Sequence, residues 1–169
     1  MQPVTWIPPI ELSQQEEQIV KRIRKAKLFI FLRQHRHELF DEAFQQELAS
    51  LYRKAERGQP PVTPAILALA LILEAYMGVS DDEVIEATVM DRRWQLVLDC
   101  LDTEQAPFSK GTLVAFRQRL IEAQMDRRLI ERTGLRLLAK AKRLGHEPCE
   151  QLWIAVRYGE LVESKIRTI

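Results

Sequence analysis

The 169-residue chain has little cysteine and no long hydrophobic run, and each shortage excludes a class of protein. Its two cysteines, Cys100 and Cys149, are far apart, so neither a disulfide framework nor a zinc-type cysteine cluster is indicated. The longest unbroken apolar run, Ala65 to Leu73, is half the roughly 18 residues that a membrane span needs. The sequence therefore predicts a protein of the reducing cytoplasm that does not contact a membrane.

Aspartate is missing from the C-terminal part of the chain, because none follows Asp126. Nucleases and strand-transfer enzymes need two or three carboxylates that converge on divalent metals about 4 Å apart. The acids of residues 81–86 begin a helix, where they favour the positive end of its dipole, so capping explains them better than metal binding. His35 and His37 point to different helix faces and make a poor ligand pair. We expect no enzyme activity, no metal and no cofactor.

Helical patterns account for nearly all of the chain. Ser13 begins a capping box, and apolar residues follow it at helical spacing through Ala26. Asp41 caps a second helix. The helix of residues 64–77 is apolar on all sides, which is typical of a helix at the centre of a fold. The residues that we expect to be buried are Leu67, Leu71, Trp94, Leu98, Leu113, Phe116 and Leu120.

The predicted fold is all-α, a compact multi-helix bundle that contains a helix-turn-helix-like unit, "AYMGVSDDEVIEA". That unit is a poor reader of DNA, because the acids that begin its second helix would face phosphates of like charge. We divide the chain into an N-terminal arm (1–12), a helical domain (13–146) and a divergent tail (147–169). The only strand signal lies in the tail, which we expect to be a short strand or a loosely attached segment.

The charge of the chain is unevenly distributed, although the net value is only +1. Residues 61–108 carry a net charge of −7, and residues 109–146 carry +7. This asymmetry has two explanations, a polyanion partner for the basic segment or pairing of the two segments within one fold.

The helix that begins at Ser109 has an apolar arc and a polar arc. Arg117 falls within the apolar arc, so we expect it to pair with an acid from residues 81–104. The opposite face contains small residues that permit close approach, and Thr112, Gln118 and Arg119 there suit contacts with base edges or phosphates. Lys110 lies at the positive end of the helix, where anions bind readily.

The next helix, from Asp126, places basic side chains in one arc of about 120°, with only Glu131 nearby to neutralise them. A basic stripe about five turns long suits a phosphate backbone. The candidate DNA-binding residues on the two helices are Lys110, Thr112, Gln118, Arg119, Arg128, Arg132, Arg136, Lys140 and Arg143.

Several motifs together resemble a known family. The segments "GVSDDEVIEA", "DRRWQLVLD" and "FSKGTLVAFRQRL", within residues 28–134, closely resemble the N-terminal helical domain of bacterial insertion-sequence transposases of the DDE type, with a domain of the InsH kind. The resemblance implies a domain that binds transposon-end DNA and helps to assemble a dimer. A following domain of that family carries a catalytic Asp-Asp-Glu triad on metal ions.

The chain departs from this family after about Gly145, where "EPCEQLWIAVRYGELVESKIRTI" has no aspartate for the first catalytic position. The resemblance therefore implies a transposase-derived chain without the triad: a truncated product, a domesticated DNA-binding protein or an experimental fragment. We expect it to bind double-stranded DNA in the bacterial cytoplasm, in association with the nucleoid. The alternative is a dimerisation module that pairs with a second copy or with a full-length transposase.

Overall fold

The computed structural model describes residues 2–53 and 60–143, with side chains as far as Gly134. These residues form helices and contain no strand, which confirms the predicted all-α bundle. The expected tail, residues 147–169, lies outside the described residues. The helices are α1 (Gln14–Arg22), α2 (Lys27–Leu39), α3 (Glu42–Ala49), α4 (Pro64–Met77), α5 (Asp81–Met90), α6 (Arg92–Leu98), α7 (Lys110–Glu122) and α8 (Asp126–Arg143).

Short polar side chains determine where most of these helices begin. Ser13 and Ser80 each accept a hydrogen bond from the backbone of a glutamate three residues later, and that glutamate bonds back to the cap. Asp41, Asp91 and Ser109 each accept one amide hydrogen bond at the starts of α3, α6 and α7. Each cap satisfies an amide that the helix itself leaves without a partner, so these starts were predictable from local sequence.

The predicted first helix ends earlier than its apolar spacing indicated, since α1 stops at Arg22 and a separate helix, α2, begins at Lys27. The helical pattern through Ala26 therefore misled the sequence prediction. Arg33 donates a hydrogen bond of 2.7 Å to Glu16, which lies 17 residues earlier. In a continuous helix these two residues would be about 25 Å apart, so this buried ion pair requires the chain to fold back.

Helix α4 lies at the centre of the bundle, as predicted. Between Pro64 and Ala75 only Ile66 is more than marginally exposed, and α3, α5, α6 and α7 all pack against this helix. Among the described helices, no single one is long and apolar enough to cross a membrane. All seven residues expected in the core are buried: Leu67, Leu71, Trp94, Leu98, Leu113, Phe116 and Leu120.

A left-handed glycine ends α4 and turns the chain into α5. Gly78 adopts φ +68°, a conformation that costs a side-chain-bearing residue energy, and its amide bonds to the Glu74 carbonyl at 2.9 Å. The two helices meet at 106°. This bend carries the acids of α5 towards α7, where Asp81 and Asp82 find their partners. The assignment of α4 and α5 to a helix-turn-helix-like unit stays a prediction.

Two side chains, Gln45 and Arg33, fix the N-terminal arm to the helical domain by hydrogen bonds. Gln45 exchanges two hydrogen bonds with the Trp6 backbone, accepting from its amide at 2.7 Å and donating to its carbonyl at 2.8 Å. Arg33 donates to the carbonyls of Ile10 (3.3 Å) and Glu11 (2.9 Å). The arm therefore has a defined path over the domain.

Arg33 and Arg36 are completely buried, which sequence reasoning did not anticipate. Arg36 donates to the carbonyls of Leu96 (3.0 Å) and Val97 (2.9 Å) at the end of α6, and its guanidinium lies 5.2 Å from the centre of the Trp6 ring. Burial lowers the pKa of Arg36 to about 10. The missed signal was spacing, because both arginines follow the buried Phe29 on one face of α2, four and seven residues later.

Arg117 joins α7 to α4 and α5, as expected from its place in the apolar arc. Its Nη2 atom lies 2.6 Å from Glu74 and 2.5 Å from Asp81, and Arg117 and Glu74 are both buried. Burial raises the pKa of Glu74, whereas the hydrogen bond from Arg117 lowers the pKa of Asp81. Asp81 belongs to the predicted acidic stretch, and Glu74 is a second partner from outside it.

Replacing Arg117 with alanine should lower the free energy of unfolding by about 3–5 kcal/mol, because the buried Glu74 carboxylate would lose its cation. Urea unfolding followed by circular dichroism measures the change. The matched control is Lys110→Ala, which removes an exposed ion pair between α7 and α5 and should leave the unfolding midpoint nearly unchanged. An Arg117→Ala variant that unfolds like the parent would show that this ion pair does not hold the helices together.

Candidate nucleic-acid interface

The first turn of α7 brings two of the predicted DNA-binding residues together. Ser109 caps the helix, and its hydroxyl lies 3.0 Å from that of Thr112. Lys110 Nζ donates to Asp82 at 2.6 Å, and this hydrogen bond raises the pKa of the lysine. The Lys110 side chain is 50 % exposed, so it stays accessible although its charge is shared with α5.

Gly111 leaves an open patch in the same turn. A Cβ atom at this position would meet nothing closer than Ser109 Oγ at 3.9 Å, so the packing of the chain does not require a glycine. Glycine inside a helix costs roughly 0.5–1 kcal/mol relative to alanine. The packing of the chain thus gives no reason for a glycine in this first turn, and the missing side chain would allow a second molecule to approach the backbone.

The C-terminal half of α7 carries the other two predicted residues. Gln118 is exposed and donates to Glu122 at 3.2 Å. The Arg119 guanidinium lies 4.7 Å from the centre of the Tyr52 ring, next to the end of α3. Burial raises the pKa of the Tyr52 hydroxyl. Arg119 is therefore held in one orientation by an aromatic face, while Gln118 projects into solvent.

Arg128 is paired within the fold, which corrects the prediction that only Glu131 lies near the basic stripe. Its Nη2 atom donates to Glu47 of α3 at 2.7 Å, and its Nε atom contacts the other oxygen of the same carboxylate. The hydrogen bond to Glu47 raises the pKa of Arg128. A projection of α8 alone could not reveal this partner, because Glu47 comes from another helix.

Arg132 connects α8 to the junction of α2 and α3. It donates to the Leu39 carbonyl at 2.9 Å, forms an ion pair with Asp41, and lies 4.7 Å from the centre of the Phe44 ring. Its side chain is only 20 % exposed. These contacts make Arg132 a structural residue, whatever else it binds.

The remaining members of the predicted stripe extend along α8. Arg136, Lys140 and Arg143 belong to this helix by their backbone, but their side chains lie outside the described residues. Their assignment to a DNA-binding surface stays a prediction.

The predicted residues separate into two groups in the structure. Arg119, Arg128 and Arg132 lie along α3 and the residues that flank it, through contacts with Tyr52, Glu47 and Asp41 respectively. Lys110 and Thr112 lie at the other end of α7, beside α5. Nine residues of helix, or about 13 Å, separate Lys110 from Arg119. The described residues of the predicted surface therefore lie in two groups at opposite ends of α7. Nearby acids at α3 and α5 neutralise much of their positive charge.

Sequence reasoning missed the strongest unpaired positive charge among the described residues. Residues 21–27, "KRIRKAK", connect α1 to α2, and no acid occurs between positions 18 and 37. Lys27 donates to the Ile23 carbonyl at 3.1 Å. No described carboxylate lies within 4.0 Å of the other four cations of this segment. The absence of acids over twenty positions was the available signal.

Three of the four acids of α5 have partners that explain them without a metal. Glu83 completes the capping box with Ser80, Asp81 binds Arg117, and Asp82 binds Lys110. Within the part of the chain that the structure describes, no three potential ligands among histidine, cysteine, aspartate and glutamate come together to hold a metal ion.

Arg132→Ala should lower the free energy of unfolding by about 2 kcal/mol, because it removes charged hydrogen bonds at a mostly buried position. Arg128→Ala is the matched control, since its side chain is 56 % exposed and the variant loses the same charge from the same helix. Thermal melting of both variants tests the difference. Equal melting temperatures for Arg132→Ala and the parent would contradict the structural role.

A comparison with protein families identifies the chain. The family described as Transposase domain (DUF772) matches residues 15–119, more than half of the chain, and covers α1 through most of α7. No significant match was found among curated proteins or solved structures. The chain therefore belongs to the transposase-domain family, as the motifs of α5, α6 and α7 predicted.

Proposed function

We propose that this transposase-family chain binds double-stranded DNA of the transposon-end type through α7 and performs no cutting itself. The observation that carries the proposal is the first turn of α7, where an open glycine stands beside exposed hydrogen-bond donors. Family membership supports a role in transposition. Such a protein would act in the bacterial cytoplasm, on the DNA of the nucleoid.

The shape of α7 suits a groove of the duplex. The B-DNA major groove is about 12 Å wide and admits an α-helix. Leu113, Phe116 and Leu120 anchor one side of α7 in the core, so the other side stays rigid and available. Gly111 and Gln118 are seven residues apart and share that side. The glycine would allow the backbone to approach the duplex, while Gln118 and Thr112 would face base edges.

The surface of α7 and α8 makes a modest electrostatic contribution. Each phosphate that a free cation neutralises releases a counterion, which steepens the salt dependence of binding. Lys110, Arg128 and Arg132 already have carboxylate partners, so they would exchange one anion for another. In this proposal the surface would therefore serve for positioning and recognition, and most of the phosphate attraction would come from elsewhere.

Gly111→Ala should weaken binding to the preferred duplex roughly tenfold, equivalent to about 1.4 kcal/mol, because the new methyl group separates the helix from the groove. The same variant should melt no lower than the parent, since alanine favours a helix more than glycine does. Gly134→Ala is the matched control, because that helical glycine also has open space around it. Fluorescence anisotropy with a duplex selected from a random library measures the affinity.

The same binding series separates recognition from general attraction. Gln118→Ala should lose roughly 1–3 kcal/mol on the selected duplex and almost nothing on a random one. If Gly111→Ala and Gln118→Ala both bound the selected duplex like the parent, α7 would not be the recognition helix. If the parent bound no duplex even at low salt, the proposed function would be wrong.

The exposed apolar arm favours a second candidate function, dimerisation with another copy of this chain. Val4, Ile7 and Ile10 are 65 %, 88 % and 62 % exposed, although their segment is fixed to the domain through Trp6 and Arg33. A fixed arm presents the same apolar side chains in every copy. However, a stable interface buries about 800 Å² on each partner, which three side chains cannot supply alone. We therefore rank this function second.

Replacing Ile7 with serine should shift a dimer towards monomer, because the most exposed apolar side chain of the arm would lose its contact. Sedimentation velocity over a concentration series measures the change. Met90→Ser is the matched control, since Met90 is 76 % exposed on a different element. A parent chain that stays monomeric throughout the series would rule out this second function.

A further inference from the structure

A cleft of about 320 Å³ lies between the α1–α2 connection and the start of α6. Its floor is apolar and includes Ile19 of α1 and Ile23, the C-cap residue of that helix. Five cationic side chains line its rim: Arg22, Arg24, Lys25, Arg92 and Arg93. We call this feature the basic cleft. None of its residues belongs to the surface of α7 and α8 described above.

The cations of the basic cleft differ in how far the fold neutralises them. Arg93 forms a short ion pair with Asp91 (2.6 Å), and Arg92 has a longer contact of 3.4 Å with Asp102. Asp102 also accepts a hydrogen bond from Gln15 at 2.6 Å. Both acids on the α6 side are therefore already occupied.

On the opposite side of the cleft the positive charge has no counterpart. Arg22, Arg24 and Lys25 are exposed, and no described carboxylate lies within 4.0 Å of them. Helix α2, which begins just after them, has no acidic residue in its first turn and no side-chain cap at Ala26. Like charges crowded around a cleft raise its free energy, and a bound anion would relieve that repulsion.

We propose that the basic cleft binds phosphate groups, supplied by the backbone of the DNA that the chain binds. The inference rests on the proposed function and names a second contact site for it. Cations on both walls can engage the oxygens of one phosphate, and lysine and arginine are the side chains that proteins use for this purpose. The apolar floor lies where the sugar next to a bound phosphate would pack.

The basic cleft and the first turn of α7 lie at opposite ends of α5. Helix α5 has Asp82, the partner of Lys110, near its start, and it ends next to Arg92 and Arg93 at the cleft. The nine residues from Asp82 to Asp91 cover about 13 Å along the helix axis. One turn of duplex DNA is about 34 Å long, so recognition by α7 and backbone contact at the cleft fall within a single turn.

The test measures the salt dependence of binding to a random duplex for variants of the full chain. Arg22→Ala, Arg24→Ala and Lys25→Ala should each reduce the slope of log affinity against log salt by about 0.9, and the triple variant by about three times as much. Arg24→Lys should keep the parent slope, because a lysine still neutralises the phosphate. Lys21→Ala is the matched control, since it removes the same charge from the same basic segment without lining the cleft.

A second probe, inorganic tripolyphosphate, separates the cleft from the proposed function. It should raise the melting temperature of the parent but not that of the triple variant. If the parent bound tripolyphosphate but no duplex, the proposal of DNA binding would be wrong, while the cleft would remain a phosphate site. The cleft would not be a contact site for DNA if its variants kept the salt slope of the parent, or if Lys21→Ala reduced that slope by the same amount. The absence of any tripolyphosphate effect on the parent would overturn it as a phosphate site.

Discussion

Buried guanidinium groups hold this bundle together, since Arg33, Arg36 and Arg117 each connect segments that are distant in sequence. A cation removed from water destabilises the fold unless anions or carbonyls surround it, so each of these arginines fixes the positions of its partners. Arg33 forces α1 and α2 to fold back on each other. Arg36 holds the end of α6 against α2, and Arg117 joins α4, α5 and α7.

Ion pairing within the fold also determines which cationic side chains remain available to a binding partner. The net −7 of residues 61–108 and the +7 of residues 109–146 allow either internal pairing or a polyanion, and the structure shows that Lys110 and Arg117 pair with acids of the first segment. Lys110, Arg117, Arg128 and Arg132 all bind carboxylates from other helices. The basic segment 21–27 has no such carboxylate among the described residues. If the chain binds DNA as proposed, the strongest attraction for phosphates is therefore expected at Arg22, Arg24 and Lys25 of the basic cleft.

Much of the fold could be predicted from residues that are neighbours in sequence, whereas contacts between different helices could not. The caps at Ser13, Ser80 and Ser109 and the all-apolar α4 depend on neighbours in sequence, so they were predictable. Arg117 was predictable as well, because a charge inside an apolar arc requires a partner. By contrast, the partners of Arg128 and Arg132 come from other helices. A helical projection contains no information about them. The sequence therefore predicted which residues to consider for the candidate site, but not which side chains surround them in the fold.

The most direct test of this account is hydrogen–deuterium exchange of the full chain with and without a duplex. Amide exchange reports which backbone segments a ligand covers or stabilises. We predict slower exchange at residues 109–118 and 21–27 when the duplex is added, and unchanged exchange in the buried α4. Exchange that is unaffected in both segments, or slowed only in the N-terminal arm, would contradict DNA binding through α7 and the basic cleft.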